Sequence, residues 1–176
     1  MLVNIEKMDK VIKFYNFFPH SYGPFSNVCY ADISKLQKEG FIVEKEKKFE
    51  LSEKGKLYIR GIDKKVNLKI NRVVEKFNSD KEIKEYVYQK FPDYTIKSKL
   101  LVAQEVAKQE PGLFTIGYEG RDIDLFLNIL IQNYVDILVD VRKNPFSMNF
   151  NFTKNKLRTY LENSGIQYIH IPELVS

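Results

Sequence analysis

Three short apolar runs in the second half of the chain are each followed at once by glycine or by polar and charged residues. The candidate ligand-binding residues at these points are Gly117, Tyr118, Glu119, Gly120, Asp140, Arg142, Asn144, Ser147, His170 and Glu173. An arginine can hold a phosphate or a carboxylate through two parallel hydrogen bonds. A carboxylate such as Glu119 or Asp140 can act as a base or orient a water molecule. These residue types predict a site for a small anionic ligand.

Predicted strands would position these candidates at their carboxyl ends. The pattern predicts strands over residues 113–116, 136–141 and 166–171, with helices over 123–134 and 153–163. Strands that alternate with helices are typical of a parallel sheet, whose strands present their carboxyl ends at a common edge. Asp140 and Arg142 alternate with apolar residues, so their side chains share one face. The second half is therefore predicted to be a partial parallel α/β sheet of order βαβαβ with a polar rim.

A purely structural interpretation stays open for each candidate. Asp140 can cap the loop that follows it, and Arg142 can simply pair with Asp140. Gly117 and Gly120 can serve only to permit a turn with positive φ. If Arg142 binds a ligand, Arg142→Ala should lose binding but not stability, whereas a structural ion pair predicts the reverse. The Gly-Tyr-Glu-Gly turn has neither the glycine spacing of a dinucleotide fold nor the Lys-Ser/Thr of a phosphate-binding loop.

Metal, disulfide and membrane functions are not predicted. The two histidines, His20 and His170, lack the spacing of metal ligands, and no cofactor is indicated. The single cysteine, Cys29, excludes an internal disulfide and fits a reducing cytoplasm. The longest stretch without charged residues, 14–31, contains two prolines and a glycine, so it does not predict a membrane span.

The net charge and the residue pattern of the chain both change near residue 110. Residues 1–110 hold 22 Lys and Arg against 16 Asp and Glu, a net +6, whereas residues 111–176 hold 6 against 7, a net −1. A proline and a glycine at 111 and 112 mark the break. We therefore predict domains at 1–110 and 111–176, and a polyanion is a candidate partner of the basic domain.

The first domain has the order of a winged helix-turn-helix with extra helices. Helices are predicted over residues 5–17, 26–39, 52–77 with a bend at Gly61, and 80–91, and a charged hairpin over 41–51 forms the wing. The candidate nucleic-acid contacts are Lys35, Lys38, Lys45, Lys47, Lys48, Lys54 and Lys56. Lysines of a wing suit phosphates. Interleaved glutamates weaken the positive electrostatic field of these lysines, so double-stranded DNA and a protein remain alternative partners.

Three segments of the first domain carry a resemblance. "YGPFS", "ISKLQKEGFI" and "FELSEKGKLY" resemble the YwgA-like and phage-associated winged-helix proteins over about residues 5–60. The resemblance implies contact with DNA or with another protein.

The second domain carries a more specific resemblance. "FTIGYEG", "LVDVRKNPFS" and "YIHIPEL" resemble the first half of the domain-of-unknown-function 488 family over about residues 113–175. The resemblance implies the fold and places several of the candidate residues on motif positions, but the family has no established activity. Val175 stands where the family usually has glycine. The family continues with further Cys, Glu, His and Arg motifs, so we expect this copy of the domain to be truncated.

Three functional hypotheses follow. In the first, a winged helix recruits a cytoplasmic protein to DNA or a protein partner, and the α/β domain binds an anionic or nucleotide-like ligand. In the second, the protein is part of an enzyme that acts on nucleic acid or nucleotides. In the third, it is a regulator or antitoxin-like protein without catalysis. An uncovered sheet edge would also favour self-association.

Overall fold

The computed structural model describes residues 14–46, 48–62, 64–100 and 111–174. These residues combine α-helices with three small sheets, so the protein is of mixed α and β class. They fall into two compact units. Within the described ranges, the first unit contains residues 14–15 and 26–90, and the second contains 16–25 and the residues from 91 onward.

Six strands and six α-helices lie in the described residues. The strands are β1 (Phe18–His20), β2 (Gly23–Phe25), β3 (Ile42–Lys45), β4 (Lys48–Leu51), β5 (Ile137–Asp140) and β6 (Gln167–His170). The helices are α1 (Asn27–Lys38), α2 (Glu53–Ile59), α3 (Lys64–Val74), α4 (Asp80–Lys90), α5 (Ile123–Gln132) and α6 (Lys154–Asn163). Short 3₁₀ turns lie at Pro92–Tyr94, Phe150–Phe152 and Pro172–Leu174.

Local sequence signals account for the start and end of α1 and for the β3–β4 hairpin in the first unit. Ser26 caps α1 by accepting a hydrogen bond from the N–H of Cys29 at 3.1 Å, and α1 stops before Gly40, whose φ is +76°. Strands β3 and β4 pair antiparallel, with Ile42 opposite Leu51, which confirms the charged hairpin. The long helix predicted from Ser52 is instead two helices, α2 and α3. Most of the helix predicted over 5–17 lies outside the described residues, and residues 14–17 are not helical.

Residues 18–25, which lie between the first two predicted helices, form a hairpin of the second unit. Strands β1 and β2 pair antiparallel, with Phe18 opposite Phe25, and β1 packs on α5. The Asn16 side-chain amide donates to the carboxylate of Asp122 at 2.6 Å. The N–H of Lys99 donates to the carbonyl of Ser21 at 2.9 Å. The second unit is therefore discontinuous in sequence, while the boundary predicted at residue 110 adjoins residues that the structure does not describe and stays a prediction.

The α/β portion of the second unit contains two parallel strands rather than three. Strand β5 pairs with β6, and Asp140 lies opposite His170. The strand predicted at 113–116 is absent: these residues make no sheet pairing, and Leu113 is 97 % exposed. An apolar run becomes a strand only when a neighbour accepts its backbone hydrogen bonds, and this run has no such neighbour among the described strands. The expected βαβαβ order is thus reduced here to αβαβ.

The main core lies in the second unit and supports one face of the sheet. Its fully buried side chains are Phe18, Pro19, Ile123, Leu127, Ile131, Phe152, Leu161 and Ile166, together with the carboxylate of Asp124. Along β5, Leu138 and Asp140 are buried, whereas Ile137 and Val139 are exposed. The strand alternation therefore directs Asp140 to the covered face.

Candidate functional site

Asp140 lies buried at the carboxyl end of β5, with every acceptor position of its carboxylate in use. Oδ1 accepts from the Arg142 backbone N–H at 3.1 Å and from Arg142 Nε at 2.8 Å. Oδ2 accepts from Arg142 Nη2 at 2.6 Å and from the Tyr168 hydroxyl at 2.7 Å. A carboxylate has about four lone-pair positions, so these bonds leave Asp140 no capacity to take up a substrate proton.

Arg142 makes a bidentate ion pair with Asp140 and is fixed on its other side as well. Its Nη1 donates to the carbonyl of Phe152 at 3.0 Å. The guanidinium carbon lies 5.2 Å from the centroid of the Tyr118 ring, and that ring stacks on Phe152 at 4.7 Å. The side chain of Arg142 is 22 % exposed and that of Asp140 is 4 % exposed. Arg142 is therefore clamped between the strand end and the loop that leads into α6.

The pKa of Asp140 reflects two opposing effects. Burial would raise the pKa of this carboxyl group, but hydrogen bonds from Arg142 and Tyr168 outweigh burial and lower the pKa below its ordinary value of 3.8. The hydrogen bond to Asp140 raises the pKa of the Arg142 guanidinium, and burial raises the pKa of the Tyr168 hydroxyl. Asp140 and Arg142 thus stabilise each other's charged forms.

His170 extends the network from β6 to the start of α6. Its Nε2 lies 2.9 Å from the carbonyl oxygen of Arg142, which can only accept, so Nε2 carries the proton. Nδ1 is then an acceptor, and Lys154 Nζ lies 2.8 Å from it. An ammonium group has three N–H donors, so Lys154 keeps two for other partners. An imidazole nitrogen that accepts a hydrogen bond carries no negative charge, so this contact does not neutralise Lys154, and no described carboxylate pairs with it.

The start of α6 adds to the positive potential beside Lys154. Thr153 occupies the N-cap position but makes no side-chain capping hydrogen bond. The first N–H groups of a helix have no acceptor within it, and the helix dipole places partial positive charge there. The edge formed by β5, β6 and the start of α6 is therefore suited to an anion.

The structure brings four of the predicted ligand-binding residues together: Tyr118, Asp140, Arg142 and His170. The others make only local contacts or are exposed. Gly117 and Glu119 supply carbonyl oxygens to Arg121, at 2.8 and 3.4 Å, and Gly120 has a φ of +70°, as a turn glycine requires. Asn144 and Ser147 each accept a bond from a backbone N–H two residues ahead, at 3.2 Å. Glu173 is exposed.

Sequence reasoning missed three residues of this network: Phe152, Lys154 and Tyr168. The helix predicted over 153–163 was assigned no site residue, although Lys154 is the first residue of α6. Tyr168 lies two residues before His170 in β6, so strand alternation alone places both side chains on one face. That signal could have been used from the sequence.

Four of the six described lysines among the candidate nucleic-acid contacts have partners within the first unit. Lys35, Lys45 and Lys56 lie 3.9, 3.1 and 2.7 Å from Glu39, Glu50 and Glu53, respectively. Lys54 donates to the carbonyl of Glu39 at 2.7 Å. Lys38 and Lys48 are exposed, and Lys47 lies outside the described residues. Neighbouring glutamates therefore weaken the positive field of the hairpin, as the sequence predicted.

The described ranges contain neither a metal-ligand cluster nor a membrane-spanning helix. No group of three or more His, Cys, Asp and Glu side chains is placed to hold a metal ion. No helix in these ranges is both long and apolar enough to cross a membrane.

Comparison with known proteins gives one match. The family described as "Domain of unknown function DUF488" matches residues 122–176. This segment contains α5, β5, α6 and β6, and with them Asp140, Arg142, Lys154 and His170. No curated protein and no solved structure matches the chain.

Proposed function

We propose that the second unit binds a small phosphate- or carboxylate-bearing ligand at the edge formed by β5, β6 and the start of α6. The observation that carries this proposal is Lys154, a part-buried ammonium whose described hydrogen bond goes to Nδ1 of His170 and not to a carboxylate. Ligands of α/β sheets bind beyond the carboxyl ends of the strands, which is where this group lies. The N–H groups of Asn155 and Lys156 in the first turn of α6, for which the structure describes no acceptor, support the same ligand class.

Arg142 takes a secondary part in this proposal. Asp140 already neutralises its guanidinium, and three of the five guanidinium N–H groups have protein acceptors. The charge that attracts an anion therefore comes mainly from Lys154. Asp140 then acts as the residue that positions Arg142, not as a base.

Lys154→Met is expected to weaken ligand binding about tenfold or more, because a hydrogen bond to a charged group contributes about 1.5–3 kcal/mol. Inorganic phosphate and ATP are suitable probes, and the measurement is the rise in melting temperature at increasing probe concentration. Lys99→Met is the matched control, since Lys99 is an exposed lysine of the same unit. An equal rise for the wild-type protein and Lys154→Met would exclude the site.

A second candidate function concerns the first unit. We infer that α1, the β3–β4 hairpin and α2 form a winged-helix module that contacts double-stranded DNA. Supporting it, the Ser52 hydroxyl donates to the carbonyl of Gly40 at 2.6 Å and caps α2 by accepting from the N–H of Gly55 at 3.0 Å. Ser52 thereby ties the hairpin base to both helices. A protein partner is the alternative occupant.

If this module binds a duplex, the affinity of the full chain should fall steeply with salt, because each phosphate contact releases counterions. Exchanging Lys45 and Lys48 for glutamate should abolish binding at low salt. The same exchange at Lys81 and Lys84, exposed residues of α4, should have a smaller effect. A duplex that does not bind the wild-type protein even at low salt would instead favour a protein partner.

A further inference from the structure

The loop from Lys143 to Asn151 exposes large apolar side chains at alternate positions. Phe146 is 74 % exposed, Met148 is 100 % exposed and Phe150 is 65 % exposed, whereas Ser147 is 8 % exposed. Apolar side chains in water forgo the stabilisation that burial would give. Three of them in one loop are therefore typical of a binding surface rather than of an inert connection.

Local hydrogen bonds hold this loop in one conformation. Asn144 Oδ1 accepts from the N–H of Phe146 at 3.2 Å, Ser147 Oγ from that of Asn149 at 3.2 Å, and Asn149 Oδ1 from that of Asn151 at 3.3 Å. The N–H of Lys154 closes the loop on the carbonyl of Pro145 at 3.1 Å. These bonds reduce the conformational freedom that a ligand of the exposed rings would otherwise have to remove.

The positive charge of the second half of the chain is concentrated around this loop. Residues 141–161 contain no Asp or Glu and five basic residues: Arg142, which Asp140 neutralises, and Lys143, Lys154, Lys156 and Arg158. The rest of residues 111–176 holds one basic residue, Arg121, and seven acidic residues. Lys156 Nζ lies 5.4 Å from the ring centroid of Phe150, so a cation stands beside one of the exposed rings.

We propose that this loop binds single-stranded nucleic acid. The exposed rings of Phe146 and Phe150 stack on unpaired bases, and the surrounding lysines and arginines contact the phosphates. Asparagine amides within the loop can bond to base edges, which are accessible only where a strand is unpaired. A duplex does not offer its base faces to these rings. A lipid surface would offer the asparagine amides no partners within its acyl layer.

This site adjoins the proposed site for a small anion and shares Lys154 with it, but the exposed rings belong to this site alone. The exposed rings distinguish the two, because a small phosphate has no surface for them to cover. The phosphate-dependent rise in melting temperature should therefore be unchanged when both rings are removed. That measurement also shows that the variant is folded.

The decisive experiment is a titration of the full chain into fluorescein-labelled oligo(dT) of about 15 nucleotides, followed by anisotropy at several salt concentrations. The Phe146→Ala/Phe150→Ala variant should bind at least about tenfold more weakly than the wild-type protein, a loss typical of a stacked base. Its salt dependence should be unchanged, because the phosphate contacts remain. The control is Tyr22→Ala, which removes a ring that is 70 % exposed in the β1–β2 turn; its affinity should be that of the wild-type protein.

Four outcomes would overturn the proposal. They are failure of the wild-type protein to bind the oligonucleotide, equal losses in the double variant and in Tyr22→Ala, equal competition by a duplex of the same length, and ring-dependent binding only to vesicles of phosphatidylcholine and phosphatidylserine. The last outcome would make the loop a membrane-contacting surface.

Discussion

Replacing Arg142 by alanine is expected to destabilise the second unit by about 3 kcal/mol, because it leaves Asp140 buried without its cation. The variant loses two of the four hydrogen bonds to that carboxylate and the bond to the Phe152 carbonyl. The estimate is at the low end for a buried pair because the Arg142 side chain is 22 % exposed. Thermal melting followed by circular dichroism should show a fall of roughly 10 °C.

Arg158→Ala is the control for this prediction. Arg158 is an exposed arginine of α6, 5.3 Å from the centroid of the Tyr168 ring, and its loss should cost at most about 1 kcal/mol. The Asp140→Ala/Arg142→Ala double variant should lose less stability than the sum of the two single variants, since the residues contact each other. A loss of stability in the double variant equal to the sum of the two single losses would show that Asp140 and Arg142 do not stabilise each other. A variant Arg142→Ala that melts normally but no longer binds phosphate would instead assign Arg142 to the ligand.

The pH dependence of the same variant provides a second check. In the wild-type protein the pKa of Asp140 is lowered, so its ionised form contributes stability above about pH 4 that is lost as the pH falls through the folded-state pKa. Without Arg142, burial dominates and raises the pKa of Asp140. The difference in stability between the wild-type protein and Arg142→Ala should therefore be largest near neutral pH and shrink as the solution becomes acidic. A difference that does not vary with pH would exclude the ionisation of Asp140 as its cause.

Phe152→Ala is expected to cost about 3–5 kcal/mol, since it opens a cavity under the loop and the ion pair. Phe152 is 0 % exposed, stacks on Tyr118 and meets the Phe126 ring edge-on at 5.3 Å. Its carbonyl also accepts from Arg142. Urea unfolding followed by circular dichroism should show a lower midpoint with a similar slope.

Phe150→Ala supplies the matched comparison two residues away. Its ring is 65 % exposed, so its removal should change stability by no more than about 0.5 kcal/mol. The two phenylalanines thus separate the functions of the loop, since one supports the fold and the other is available to a ligand. Equal destabilisation by the two substitutions would contradict this division.

Elements with local signals could be predicted from the sequence. Helix α1 starts and stops where Ser26 and Gly40 supply a cap and a left-handed residue, and both effects act within a few residues. The β3–β4 hairpin forms between strands that are close in the chain. Strand alternation is equally local, and it decides which face the polar residues at the ends of β5 and β6 occupy. The types of candidate residue and the face they occupy are therefore properties of the sequence alone.

Partners that are distant in the chain were decided by the tertiary structure. The β1–β2 hairpin joins the second unit through Asn16 and Asp122, which are 106 residues apart, and no local pattern encodes that contact. The residues at 113–116 have strand-like composition but no hydrogen-bonded neighbour. The composition therefore predicted one strand too many for this sheet. Tyr168 and Lys154 complete the network of Asp140 and His170 from other elements. The sequence by itself determined that an acid, an arginine and a histidine follow the strands. Only the tertiary structure decided that the acid and the arginine neutralise each other and that Lys154 meets the ring of His170 instead of a described carboxylate, because those outcomes depend on which side chains meet.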